Sequence, residues 1–591
     1  MNSHTIKTQN VLGLKIRGHD TGAAVISQGK VFAISEERLN RVKHAKHIFP
    51  NLAIAHCLNA ASVTPEDIGL IVIDQVRDRK RYDMERIFKD ESKLTFPNAK
   101  IKVINHHLAH AASAFLCSPF KEAAVMIVDG SGERIKTPLG SGLEHTSLYY
   151  AEGNNFHLIR KTLRKSGVTA GIGRLYSIIT KDVLNLGALN EGKTMGLASY
   201  GNAEEIFKYI PRERWVKEVG GEYHCNPNFV FPGQNEGVHS TKEDIKKYLG
   251  FVIQKLLGRF LPRIPKANAF FEPIKLPESP RDKNIKLPNE YHNNIAAVVQ
   301  KLIEEIFLNI SRDLASITRS KNICIAGGCG LNGVSNNIIL RDGKFDDMFI
   351  QPASSDAGIP LGCALWGYHV HFGNERFYAM KNAYLGKLYS DGDIKKALAA
   401  REGEITHAKS NAVAKETAKY LAEGVIVGWF QGRSEYGPRS LGSRSILCDP
   451  RKGEMKDILN ERVKHRENWR PFAASVLLES VPEYFEFPRG VESPYMLFVP
   501  KIREEKKKDM RALVHVDGTC RIQSVTQKEN GIFYDLIKEF SHITHVPLIL
   551  NTSFNLAGEP IIETPEDALK CFLSTRIDIL VLGEYIVRKR I

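Results

Sequence analysis

The sequence predicts a two-domain α/β protein whose first domain arises by duplication of one strand, loop and hairpin unit. Three observations carry this. An apolar strand that ends in a short polar loop and leads into a hairpin occurs twice in the N-terminal third. Buried-type strands entering polar or Gly-rich turns then alternate with helical stretches as far as Tyr368. Beyond a looser stretch around 372–410, a second alternation of helix and strand begins. The length of 591 residues allows several domain-sized units, and 43% apolar with 25% charged residues excludes disorder and collagen-like structure.

In chain order, VLGLKI (11–16) reads as the first strand and Gly18-His19-Asp20-Thr21-Gly22 as its loop. AAVISQGKVFAIS follows as a hairpin turning at Gln28-Gly29. AAVMIV (123–128) repeats the strand, and Asp129-Gly130-Ser131-Gly132-Glu133 repeats the loop. After an insertion, SLYYAEGNNFHLIRK repeats the hairpin, turning at Gly153-Asn154. Two such units are the plan of the actin/hexokinase-like fold, in which the two loops face each other across a nucleotide. Residues 105–115, 170–189 and 290–317 have helical periodicity. NICIAGGCGLNG (322–333) is a buried strand entering a Gly-rich turn, and 348–368 reads as strand, loop and helix. The boundary is placed to give domains 1–385 and 386–591. The second opens with a helix over 412–422 and a strand over 425–430, and closes with strand, loop, helix and strand over 545–587.

The net charge of +15 suits either nucleic acid or a site for phosphorylated or acidic small molecules. Much of it lies in runs such as 77–81 and 506–508, which read as solvated surface, and the aromatic-interleaved pattern of an RNA-binding sheet is absent. No apolar window is long enough to span a membrane, and the polar start predicts no secretory signal. Nine scattered cysteines without a CxxC pair suit reduced thiols and a cytoplasmic setting.

Four constellations carry chemistry. His106 and His110, four apart on a helix, share one face and suit two ligands of one metal. Asp129 and Asp356 lie in loops at strand ends, and two imidazoles with two carboxylates suit Fe(II), Mn or Zn rather than calcium. The glycines at 327, 328 and 330, at 171 and 173, and at 192 permit close backbone approach to a phosphate or adenosine, but none forms a P-loop. His19 reads either as a general base or as a loop histidine bonding the backbone. Its ordinary pKa of about 6.5 suits proton abstraction, and no other group titrating near neutrality is expected in its loop. In the second domain Arg433, Arg439, Arg444, Arg451, Arg462, Lys464, Arg466, Arg470 and Arg521 are interleaved with Gly, Ser, Trp469, Pro471 and Phe472, which reads as a folded polyphosphate site.

Taken together, GHDTGAAVIS, AISEERLNRVKHAK, NHHLAHAASAF, VDGSGE, EGKTMGLASYG, IAGGCGLN, QGRSEYGPRSLGSRSIL, NERVKHRENWRPFA and NTSFNLAGEPI resemble the ordered blocks of the NodU/CmcH O-carbamoyltransferases, which include tobramycin carbamoyltransferase. The resemblance runs from about residue 11 to residue 590. It implies a TsaD-like first domain of actin/hexokinase-like fold with Fe(II) or another divalent metal, followed by a YrdC-like α/β domain. The second domain is implied to turn carbamoyl phosphate and ATP, with Mg, into carbamoyl adenylate. The first is implied to pass the carbamoyl group to a hydroxyl of a small natural-product acceptor, with no nucleic acid or membrane partner.

Position by position, the resemblance makes His106, His110, Asp129 and Asp356 the metal ligands and His19 the transfer base. Gly328 and Asn332 become adenylate contacts, with Lys43 reaching the same ligand. Arg439, Lys464, Arg470, Arg521, Asn551 and Ser553 fall on the ATP and carbamoyl phosphate site. The chain departs from the pattern at Ala474, where Pro is expected, and it places Arg17 near the acceptor position. Acceptor specificity is not carried over. A HypF-like enzyme would need an acylphosphatase domain and CxxC motifs, which this chain lacks. The charge favours a tRNA threonylcarbamoyl-type transferase, and the fused second domain disfavours it.

Overall fold

The computed structural model describes residues 9–76, 82–137, 140–165, 167–230, 270–276 and 289–590. The basic run at 77–81 and much of 202–290 lie outside the described residues. Strands β1 (Asn10–Lys15), β2 (Gly22–Ser27), β3 (Lys30–Ser35), β4 (Ile68–Gln75) and β5 (Lys100–Asn105) form one sheet in the order β3-β2-β1-β4-β5. The β1-β2-β3 pairs are antiparallel, and β1, β4 and β5 run parallel.

The second sheet repeats this plan. It contains β6 (Glu122–Val128), β7 (Arg134–Thr137), β8 (Gly140–Glu152), β9 (Asn155–Arg164), β10 (Asn322–Ala326) and β11 (Asp347–Ile350). β9-β8-β6 are antiparallel, and β6, β10 and β11 parallel, so each half has one hairpin beside three parallel strands. β7 is the insertion, paired with the start of β8 beyond the end of β6. Both expected strand, loop and hairpin units are present. β1 and β2 are buried at every position, because layers cover both faces and the strands read as apolar runs rather than alternations.

Four helices organise this domain: α1 (His106–Phe115), α2 (Glu290–Thr318), α3 (Gly333–Asp342) and α4 (Ile359–Leu365). α1 follows β5 and α4 follows β11, corresponding places in the two halves. They pack together where a Cβ on Gly362 would collide with the Ala109 carbonyl oxygen. This contact brings the two sheet ends to one point.

The second domain is one mixed eight-stranded sheet: β12 (Ile405–Lys409), β13 (Val427–Phe430), β14 (Arg444–Cys448), β15 (Ala473–Leu477), β16 (Arg521–Val525), β17 (Leu548–Ser553), β18 (Ile579–Leu582) and β19 (Tyr585–Lys589). Its order is β12-β19-β18-β13-β14-β17-β15-β16. Helices α5 (Val413–Glu423), α6 (Gly531–Thr544) and α7 (Pro565–Leu573) cover it. One hydrophobic core continues from the second sheet of the first domain into this one. All nine cysteines are free and buried. Among the described residues no helix is long and apolar enough to cross a membrane.

Candidate active sites

The first site is built from strand ends. Asn105 closes β5 and caps α1, its side chain accepting from the Leu108 N–H at 3.1 Å. Its amide nitrogen donates to the carboxylates of Glu133 (2.8 Å) and Glu144 (3.0 Å), fixing the cap. With the helix starting there, His106 and His110 lie one turn apart with ring centres 4.8 Å apart. Asp129 follows β6 and accepts from the Gly328 N–H (3.0 Å) and the Ser131 N–H (3.2 Å). Asp356 begins the short helical turn that leads into α4.

One donor atom from each of these four buried residues lies within 4.8 Å of all the others. His106 Nε2 is 3.5 Å from Asp356 Oδ1 and 3.8 Å from Asp129 Oδ2, and His110 Nε2 is 3.6 Å from Asp356 Oδ1. Both Nε2 atoms are buried without a hydrogen-bond partner among the described residues. Donors about 2.1 Å from a first-row ion stand roughly 3–4 Å apart. Two orphan imidazole nitrogens and two carboxylates at this spacing fit one divalent cation. Burial raises the Asp356 carboxyl, yet Lys15, His19 and His106 together hold it well below the ordinary range.

Around this cluster lie groups the sequence reading missed. Lys15, at the end of β1, is fully buried between Asp74 Oδ2 (3.1 Å) and Asp356 Oδ2 (3.2 Å). Asp74 Oδ2 also lies 2.8 Å from His106 Nδ1. A lysine inside an apolar strand and an aspartate at the end of IGLIVIDQ were the available signals. His19 Nδ1 is 3.2 Å from Asp20 Oδ2, and His19 Nε2 is 3.9 Å from Asp356 Oδ2. His44, from the turn at 43–45, reaches this loop, with Nδ1 2.8 Å from Asp20 Oδ1. The ordinary pKa expected for His19 is not kept. Burial lowers it, but Asp356 and Asp20 outweigh that and raise it to about 9.

The Gly-rich turn packs against the cluster. Gly327 has φ +87°, and a Cβ there would strike the Val128 backbone, so this turn requires glycine. Gly328 borders Asp129 through its N–H. Asn332 caps α3 by accepting from Ser335 N–H (3.1 Å), and its amide nitrogen donates to Gln300 (2.9 Å). Those side-chain bonds are internal to the fold.

The second site lies on the other sheet. Arg521, Ala473 and Asn551 form one register row across β16, β15 and β17. Asn551 donates to Ser475 Oγ (2.9 Å), while its buried Oδ1 is without a partner among the described residues. The buried Nε atoms of Arg439 and Arg521 have none either. Burial, then the neighbouring arginines, hold Arg439 well below its ordinary range. Lys464 donates to the Ser553 carbonyl and to Asn555 Oδ1 (2.8 Å), and burial followed by Arg466 lowers its pKa to about 7. Arg470 stands 3.8 Å from Glu467.

Other arginines of the same stretch are ties within the fold. Arg433 donates to the carbonyls of Leu385 and Gly386, Arg444 to Gln431, and Arg451 to the Asp449 carboxylate. Lys43 lies within the electrostatic reach of Glu37 and Asp20 and of Arg470 and Lys193: burial lowers its pKa, Glu37 opposes this, and Arg470 and Lys193 add to the lowering. Half-buried guanidinium groups, two of them with an unpartnered Nε, beside a depressed lysine suit a polyanion.

Comparison with known proteins places both halves of the chain in one family. The family model described as "Carbamoyltransferase N-terminus" matches residues 10–96 and 92–365, and "Carbamoyltransferase C-terminus" matches 418–589. An uncharacterized protein of Synechocystis sp. is 32% identical, covering 98% of this chain and 97% of its own. Nodulation protein NolNO of Sinorhizobium fredii is 33% identical over 97% of this chain and 79% of its own, and nodulation protein NolO of Bradyrhizobium diazoefficiens is 33% identical over 82% and 79%. With both halves matched by its models, the chain belongs to the carbamoyltransferase family and is a carbamoyltransferase enzyme.

Proposed function

We propose that this enzyme is an ATP-dependent O-carbamoyltransferase that works at two sites. In the second domain carbamoyl phosphate loses its phosphate to water. The carbamate oxygen then attacks the α-phosphorus of MgATP, and pyrophosphate leaves carbamoyl adenylate. In the first domain the hydroxyl of a small acceptor attacks the carbamoyl carbon, and AMP leaves. On this reading the first domain has the actin/hexokinase-like plan of TsaD, the second is YrdC-like, and the setting is cytoplasmic.

The observation that carries the reading is the pair of polar clusters in one chain: Arg439 and Arg521 of the second domain, whose buried Nε atoms have no partner among the described residues, and the His106, His110, Asp129 and Asp356 cluster of the first. Arg439, Lys464, Arg470 and Arg521 bind and orient the phosphates, and Asn551 and Ser553 line the same strand. A carbamate anion is a poor electrophile, and the mixed anhydride with AMP supplies a good leaving group. Gly328 and Asn332 border the adenylate, and Lys43 stands between the two sites. Asp20 holds His19 Nδ1, which leaves Nε2 to take the acceptor's proton. The cluster suits Fe(II) or another first-row divalent cation, which when bound would polarise the carbamoyl oxygen and stabilise its developing charge. His19 reaches a proton-accepting state once the charge of Asp356 is balanced.

The test is AMP and pyrophosphate release from ATP, expected only when carbamoyl phosphate is present. A screen of hydroxylated metabolites, read by mass for carbamoyl in place of hydrogen, then identifies the acceptor. AMP release that ignores carbamoyl phosphate would refute the reading.

A further inference from the structure

We infer that Lys15 is a positioning residue for the metal centre, fixing which oxygen of Asp356 and, through Asp74, which nitrogen of His106 is presented to the ion. This rests on the reading that the four-residue cluster holds a divalent cation.

β1 is buried along its whole length, and Lys15 is its only charged residue. An ammonium with no exposure is tolerated only when its charge is compensated and its protons are bonded. Two carboxylate oxygens compensate Lys15 Nζ, which donates to Asp74 Oδ2 at 3.1 Å and pairs with Asp356 Oδ2 at 3.2 Å. Each contact has a consequence inside the cluster.

Asp356 Oδ2 is held by Lys15, and Oδ1 faces the two orphan nitrogens, at 3.5 Å from His106 Nε2 and 3.6 Å from His110 Nε2. Asp356 is thereby set to ligate through one oxygen. Asp74 Oδ2, held by the same ammonium, lies 2.8 Å from His106 Nδ1. A carboxylate there accepts the Nδ1 proton, which leaves the Nε2 lone pair for the ion. Asp74 is thus a third buried carboxylate beside the cluster that serves no ion directly, and Lys15 compensates its charge. Restricting Asp356 to one oxygen also keeps a coordination position open for a substrate oxygen.

The test uses the full chain and Co2+ alone, whose visible absorption is strong at low coordination number and weak at six. Wild type is expected to take up one Co2+ with strong absorption. Lys15→Met frees Asp356 Oδ2 to join the ion, so the absorption should fall, and affinity should drop about 10–100-fold, the scale of an outer-shell change. The double variant Lys15→Met/Asp74→Asn removes one charge of each sign. It carries the same test if the single variant does not fold, and the same direction is expected. Wild-type affinity and wild-type absorption in the folded variants would overturn the inference while leaving the metal reading intact. A wild-type protein that takes up no Co2+ would overturn both.

Discussion

At Lys464 the ammonium is buried among Arg466, Arg470 and Lys43, and its pKa falls to about 7 from an ordinary 10.5. Between those values the unfolded chain keeps a proton that the folded chain lacks, so this group makes stability rise with pH across that window. A bound polyphosphate returns the proton. ATP binding at about pH 8 should therefore take up close to one proton, and at about pH 6 almost none. Calorimetry in buffers of different ionisation enthalpy reads this directly. Equal apparent enthalpies in all buffers at the higher pH, or uptake unchanged in Lys464→Met, would count against it. His19 carries a second expectation. His19→Asn keeps much of the shape and removes the base, so single-turnover transfer from preformed carbamoyl adenylate should slow at least about 100-fold. An undiminished rate returns His19 to the role of a loop histidine. His106 and His110 were readable because helical spacing alone places them together. Lys15, Asp74 and His44 were not, since each meets its partner across sheet order or across a left-handed backbone segment that local pattern does not encode.

The loop between β13 and β14 carries Arg439, and Glu435 holds it in shape. Glu435 Oε1 accepts from the backbone N–H groups of Leu441 (2.8 Å), Ser443 (2.8 Å) and Arg444 (3.1 Å). Hydrogen bonds to a charged acceptor contribute about 1.5–3 kcal/mol each, and the three share one oxygen. Glu435→Ala should cost about 3 kcal/mol in all and lower the melting temperature by about 10 °C. Glu435→Gln, which keeps an acceptor oxygen, should recover most of this. Equal melting curves for the alanine variant and wild type would show that the loop holds without the carboxylate. Glu435 lay inside a quoted motif and escaped notice, because a carboxylate that binds three amides of its own loop leaves no periodic trace. The hairpins were legible for the opposite reason. Their turns at Gln28-Gly29 and Gly153-Asn154 are local, and the flanking strands are apolar runs. The eight-strand order of the second sheet depends on long-range pairing, such as β12 with β19, and no local signal specifies it.

The two domains are joined at the places where their sites approach. Arg38 Nη2 donates to the carbonyls of Glu435 (3.2 Å) and Gly437 (2.8 Å), and Arg41 to those of Ile561 (2.7 Å) and Pro560 (2.9 Å). Lys193 pairs with Glu467 at 2.8 Å beside the cations of the second site. The most direct tie is Tyr436, three residues before Arg439. Its buried hydroxyl donates to the carbonyl of Ala357, the residue after Asp356. One hydrogen bond thus connects the loop that carries Arg439 to the turn that carries a cluster carboxylate. On the proposed reading, a reactive mixed anhydride passing between the sites would be preserved only while the two loops stay in register. Tyr436→Phe deletes the hydroxyl and leaves the ring in place. A neutral hydrogen bond is worth about 1 kcal/mol, or about five-fold. The expected result is a fall of about five-fold in carbamoylated product per AMP formed, with the lost carbamoyl groups appearing as free carbamate breakdown products. AMP formation itself should change far less, because the loop that carries Arg439 remains held by Glu435. The measurement is the ratio of the two products in one reaction, so enzyme concentration and partial unfolding cancel. A ratio equal to wild type would mean that the remaining interdomain bonds suffice and that Tyr436 does not couple the sites.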